Sequence, residues 1–141
     1  MAELHAQYRL RMPQLVEPDP QVRAMLAGLR EAGWQLGVVT NGMVDNQTNK
    51  IRRAELYDLV DTIVISDAVK IRKPDAQIFR HAITRLDSEP GTHVVMLGDS
   101  LEHDVAGGHI TGFTTVWVSH GRPLPRSGPR PPSPAHRRHR D

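Results

Sequence analysis

Residues 93–118 read HVVMLGDSLEHDVAGGHITGFTTVWV, and this stretch decides the fold. An apolar, β-branched strand over 93–97 is followed by Gly98-Asp99, a helix over 101–111, and a second strand over 114–118 (TTVWV). Two strands separated by a helix run parallel, because a hairpin turn cannot join them. Working outward, the same alternation continues toward the N-terminus. A helix over 75–86 carries Phe79, Ala82, Ile83 and Leu86 on one face, and it follows a short strand over 62–66 (TIVIS). Before that come a weaker helix over 43–54 and the strand 34–40 (WQLGVVT), apolar enough for burial on both faces. The first helix, 21–32, places Val22, Met25, Leu26 and Leu29 at i, i+3, i+4 and i+7. Asp19 is its N-cap, Pro20 sits in its first turn and Gly33 ends it. The expected class is therefore α/β, with helices around a parallel sheet joined by right-handed crossovers.

The chain has 141 residues, 38% of them hydrophobic, which suits one domain with a modest core. It contains no cysteine, so a disulfide scaffold, a thiolate nucleophile and a thiolate zinc site are excluded. No apolar run reaches the length of a membrane span, and MAELHAQYRL has no signal-peptide core. A cytoplasmic location is the expectation. The net charge of +2 hides an asymmetry. Residues 122–141 (RPLPRSGPRPPSPAHRRHRD) hold six Arg, one Asp and six of the 11 prolines. The rest of the chain has 12 basic and 15 acidic residues. The tail is expected to be disordered. It has no aromatic residues on which bases could stack, which argues against a nucleic-acid partner.

In open α/β sheets, ligands gather beyond the C-terminal ends of the strands. After the first strand stand Thr40, Asn41 and Gly42: a hydroxyl, a carboxamide and backbone N–H groups just before a helix, which suits an oxyanion. Asn-Gly equally serves as a plain strand-to-helix turn. After the second strand come Ser66-Asp67, Lys70, Arg72 and Lys73-Pro74-Asp75. A lysine held there offsets charge on a phosphoryl group, and a solvated basic loop is the plainer alternative. After the third strand come Asp99 and Asp104, carboxylates able to hold a hard cation such as Mg²⁺. Helix capping is the competing use.

The ordered set VVTNG (38–42), KIRKPDAQIF (70–79) and VVMLGDSLEHDVAG (94–107) resembles motifs II, III and IV of haloacid dehalogenase-like (HAD) hydrolases. GHITGFTTVWV (108–118) continues as that family's next helix and strand do. The resemblance implies a Rossmannoid three-layer α/β/α core over residues 19–121. It also implies an Mg²⁺-dependent phosphatase of a small phosphorylated metabolite, working through an aspartyl-phosphate. In that reading Thr40, Asn41 and Gly42 hold the phosphoryl group and Lys73 neutralises it. Asp99 holds Mg²⁺, with Asp104 supporting the metal directly or through Ser100.

The family's motif I, an Asp-x-Asp that supplies the nucleophile, does not occur: no Asp in the chain is followed two residues later by another. The chain is therefore expected to be truncated at its N-terminus, with residues 1–18 a remnant of a cap or linker. It is expected to lack the family's central first strand. Strands that lose a ladder partner leave backbone groups unsatisfied, at about 1–3 kcal/mol each when buried. An isolated chain is then expected to be unstable, or to pair its open edge with another strand or a complementing chain. The expectations for function are a phosphatase inactive on its own, a non-catalytic phosphate-binding module or pseudo-enzyme, or a haloacid dehalogenase.

Overall fold

The computed structural model describes residues 16–88 and 92–125. Most of the expected cap remnant (1–18) and of the Arg/Pro-rich tail (122–141) lies outside the described residues. The order is α1 (Pro20–Glu31), β1 (Gly37–Thr40), α2 (Val44–Arg53), β2 (Thr62–Ile65), the four-residue turn α3 (Ser66–Val69), α4 (Ala76–Arg85) and β3 (Val95–Gly98). A π-helical turn (Leu101–Val105), α5 (Ala106–Thr111) and β4 (Thr114–Trp117) complete it. The alternation matches the expectation. The strands are shorter than the apolar runs that announced them, because an apolar run continues wherever a chain is covered, whether or not it has a ladder partner.

All pairing is parallel. β1 pairs with β2, from Gly37↔Thr62 to Thr40↔Ile65, and β3 pairs with β4, from Val95↔Thr114 to Gly98↔Trp117. Among the described residues these are two separate two-stranded ladders. β1 and β3 thus each have one edge that no described strand pairs.

Helix α4 bridges the halves. Asp75 caps it by accepting from the Gln77 N–H at 2.9 Å. Its Ile78, Phe79 and Ala82 form the buried core with Val64 of β2. Around them pack Val39 from β1, Met96 from β3, and Phe113, whose ring meets Phe79 edge-to-face at 6.0 Å. Gly107 is required at this crossing, since a Cβ there would run into the Phe79 ring. One core helix therefore fixes both ladders, and their C-terminal ends, relative to each other. No helix among the described residues is long and apolar enough to cross a membrane.

Candidate functional site

The parallel register brings polar residues together at one end. Thr40 pairs with Ile65 in the ladder, so the next residue along each strand is Asn41 and Ser66. Ser66 Oγ accepts from the Gly42 N–H at 2.9 Å and donates to the Gly42 carbonyl at 3.4 Å. The Asp67 N–H also donates to that carbonyl, at 3.2 Å. Gly42 has φ +141°, and a Cβ there would strike the Gln47 side chain, so only glycine fits this turn. Helix α2 begins directly after it at Val44, with Met43 as an N-cap that offers no side-chain acceptor.

Asn41 locks the lysine loop in place. Its Nδ2 donates to the Lys73 carbonyl at 3.1 Å, and its Oδ1 accepts from the Lys73 N–H at 2.8 Å. This two-point clasp between residues 32 apart fixes the Lys73 backbone against the end of β1. The Lys73–Pro74 peptide is cis.

The Lys73 ammonium then reaches the other ladder. Its Nζ lies 2.5 Å from Asp104 Oδ1, and both side chains are largely buried. Asp104 Oδ2 accepts from the Ser100 N–H at 3.1 Å. The π-helical turn aims Asp104 back toward β3, and its wider winding shows in the Val105 N–H bonding the Ser100 carbonyl at 3.1 Å. Ser100 Oγ caps the turn by accepting from the His103 N–H at 3.0 Å. Gly98 makes room, because a Cβ there would overlap the Asp104 carboxylate.

Asp99 is held differently. Its carbonyl accepts from Trp117 Nε1 at 3.0 Å and from the Arg122 guanidinium at 2.6 Å. Its carboxylate projects outward, 63% exposed, with His120 Nε2 3.9 Å away. Arg122, the first residue of the expected tail, thus braces the strand ends, and it also lies 5.5 Å from the centre of the Trp117 ring.

Of the expected residues, the structure links Asn41, Lys73 and Asp104 by hydrogen bonds, while Gly42 is bonded to Ser66 and Asp67 and Thr40 is half-buried beside Asn41. Thr40 Oγ1 makes only a long contact, 3.4 Å, to the neighbouring Asn41 carbonyl. Asp99 presents a single outward-facing carboxylate, one hard-oxygen donor of the kind Mg²⁺ would take, with the rest of the ion's shell to come from elsewhere. Asp104 has both oxygens engaged, so its geometry favours a supporting place over direct ligation. No group of three or more His, Cys, Asp or Glu that could cage a metal occurs among the described residues.

Sequence reasoning gave no role to Ser66, Trp117 or Arg122. Ser66 was findable, as a small hydroxyl residue one step past a strand in register with Thr40. Trp117 and Arg122 act through tertiary contacts 18 and 23 residues from Asp99, which no local pattern reports.

Comparison with known proteins gives the family and the fold. Residues 1–118 match the family model described as haloacid dehalogenase-like hydrolase. Glyceraldehyde 3-phosphate phosphatase of Pyrococcus abyssi is 35% identical over 103 residues, covering 73% of this chain and 43% of that protein. The structure of a HAD phosphatase from Thermococcus onnurineus superposes with a TM-score of 0.72 at 36% identity, covering 86% of this chain and 54% of that one. The Bacillus subtilis HAD hydrolase YfnB, solved bound to magnesium, shares the fold with a TM-score of 0.78 at 24% identity, covering 93% of this chain and 55% of that one. The chain spans about half the length of the curated relatives it matches.

Proposed function

The chain belongs to the haloacid dehalogenase-like hydrolase family, and from that premise we propose that residues 19–121 form the phosphate-holding part of a cytoplasmic, Mg²⁺-dependent phosphomonoesterase of a small phosphorylated metabolite. The observation that carries this reading is the continuous link from Asn41 through Lys73 to Asp104, which fixes one cation between the end of β1 and the turn after β3. Phosphoryl transfer needs little from a protein beyond placed positive charge and donors. Lys73 supplies the charge, and Thr40 Oγ1 with the Asn41 backbone supplies donors, since the Gly42 N–H is already given to Ser66 Oγ. Asp104 is the positioning residue that holds the lysine ammonium in place. Asp99 would hold Mg²⁺, which when bound offsets charge on the phosphoryl oxygens.

The sequence contains no Asp-x-Asp, so the nucleophile in this reading is a carboxylate from outside these 141 residues. Its oxygen attacks phosphorus and the ester P–O bond breaks. The alkoxide leaves as an alcohol once protonated, and water then hydrolyses the acyl phosphate. The edges of β1 and β3 that no described strand pairs would suit a strand that carries such a carboxylate.

Calorimetry with inorganic phosphate in the presence of Mg²⁺ tests the assignment. The chain binds phosphate, and Lys73→Met weakens binding at least about tenfold, as expected for losing a charged hydrogen bond. Unchanged affinity in a folded Lys73→Met protein removes Lys73 from the site. The missing Asp-x-Asp also favours a second reading, a phosphate-binding module without turnover. Phosphate binding with no hydrolysis of p-nitrophenyl phosphate, alone or with the complementing segment, selects it. Metal-independent chloride release from chloroacetate selects a dehalogenase instead.

A further inference from the structure

Beside the phosphate loop lies a pocket of about 300 Å³ lined by Gly42, Met43, Ser66, Asp67, Lys70, Ile71 and Arg72. Gly42 and Ser66 belong to both the pocket and the strand-end loop, and the wall runs through Arg72 into Lys73. The pocket is at the small end of the range for ligand sites, the size of a metabolite of a few carbons. Its lining carries two cations against one carboxylate, with Met43 and Ile71 as apolar walls. Lys70 is tied to Asp67 at 3.1 Å, while Arg72 is exposed and makes no ion pair among the described residues.

Lys70 is one of four non-glycine residues with positive φ among the described residues. It ends the α3 turn in the left-handed conformation, φ +59° and ψ +25°, where glycine is the low-cost residue.

We propose that this pocket receives the non-reacting end of the substrate, and that Arg72 with Lys70 selects phosphomonoesters bearing a second anionic group. This deepens the phosphatase reading and rests on it. The phosphoryl group occupies the Asn41–Lys73 end, a short carbon chain lies along Met43 and Ile71, and the second anion meets the Arg72 guanidinium. A guanidinium accepts a carboxylate or a phosphate by the same two-point geometry, so both are candidates for that group.

The test is calorimetry on the 141-residue chain with four probes: inorganic phosphate, ethyl phosphate, phosphoglycolate and ethylene glycol bisphosphate. Phosphoglycolate, ethylene glycol bisphosphate or both bind roughly tenfold more tightly than ethyl phosphate, and the one that gains more names the second anion. The preference falls to about one in Arg72→Gln and shrinks in Lys70→Gln, and in the wild type it declines as salt screens the exposed charges. Equal affinity for all three esters overturns the inference and leaves the phosphate site standing. So does an Arg72→Gln protein that weakens ethyl phosphate as much as the probes with a second anionic group, since Arg72 then acts on the phosphoryl group itself. Failure of all four probes, inorganic phosphate included, overturns the phosphate-site reading and this inference with it.

Discussion

Helices α1 and α4 look alike in sequence and are held in different ways. Both follow an aspartate N-cap, Asp19 and Asp75, and both carry an apolar stripe at helical spacing. α4 buries Ile78, Phe79 and Ala82 in the core, whereas α1 buries no residue fully and leaves Val22 and Met25 substantially exposed. What holds α1 is polar. Arg23 forms a forked pair with Asp58, at 2.9 and 2.7 Å, and also donates to the Glu55 carbonyl. Arg30 donates to Asp61 at 2.8 Å and to the Leu59 carbonyl at 3.0 Å. An amphipathic period thus says that a face can be covered, and the tertiary structure decides whether burial or tethering fixes the helix. The hub of the site is the buried helix, because α4 touches both ladders whose ends carry Asn41 and Asp104.

The sharpest way to break this contrast is Phe79→Ala. The side chain is almost wholly buried, so its loss removes apolar burial, leaves a cavity and ends the edge-to-face contact with Phe113. The expected cost is about 3–5 kcal/mol in urea denaturation, with the Lys73–Asp104 contact loosened because the ladders lose their common support. A cost below about 1 kcal/mol would mean that α4 is not what joins the halves.

The tether of α1 predicts a smaller, pH-dependent effect. The Asp61 carboxyl is held below its ordinary range, first by the Leu36 N–H donating to it at 2.8 Å and then by Arg30. Asp58 is lowered as well, mainly by its bond to Arg23. A carboxyl depressed in the folded state adds stability above its ordinary pKa of about 3.9 and loses it as pH falls through the folded value. Stability should therefore drop as pH falls from roughly 5 toward 3, and Asp61→Asn should flatten that slope at a cost of about 1 kcal/mol near neutrality. Equal acid sensitivity in Asp61→Asn and wild type would show that Asp61 contributes none of it.

The sequence was informative wherever a structural choice depends on neighbours. The cap at Asp19, the parallel alternation and the polar strand ends all appear at their expected places. Lys73 was legible as a fixed cation, but its partner was not. Asp104 reads equally well as a metal ligand or a helix-dipole residue, and only the π-helical winding with the gap at Gly98 turns it toward Lys73. Ser66 was passed over because a serine after a strand has many uses. It acquires one when the β1–β2 register sets it beside Gly42. Arg23 and Asp58 lie 35 residues apart, and no period in the chain links them.

The smallest expected effect tests the tethered helix from its apolar side. Met25 lies in the same stripe as Leu26 and Leu29, and by pattern alone it is as much a core residue as Phe79. In the structure it is 51% exposed, so truncation to alanine removes little buried area and leaves no cavity. Alanine is also the better helix former, which offsets part of what packing is lost. Met25→Ala should therefore change the unfolding free energy by no more than about 0.5 kcal/mol, an order of magnitude below Phe79→Ala on the matching helix. A loss above about 2 kcal/mol, measured in the same urea titration, would mean that Met25 is covered in solution and that α1 is held by burial as α4 is.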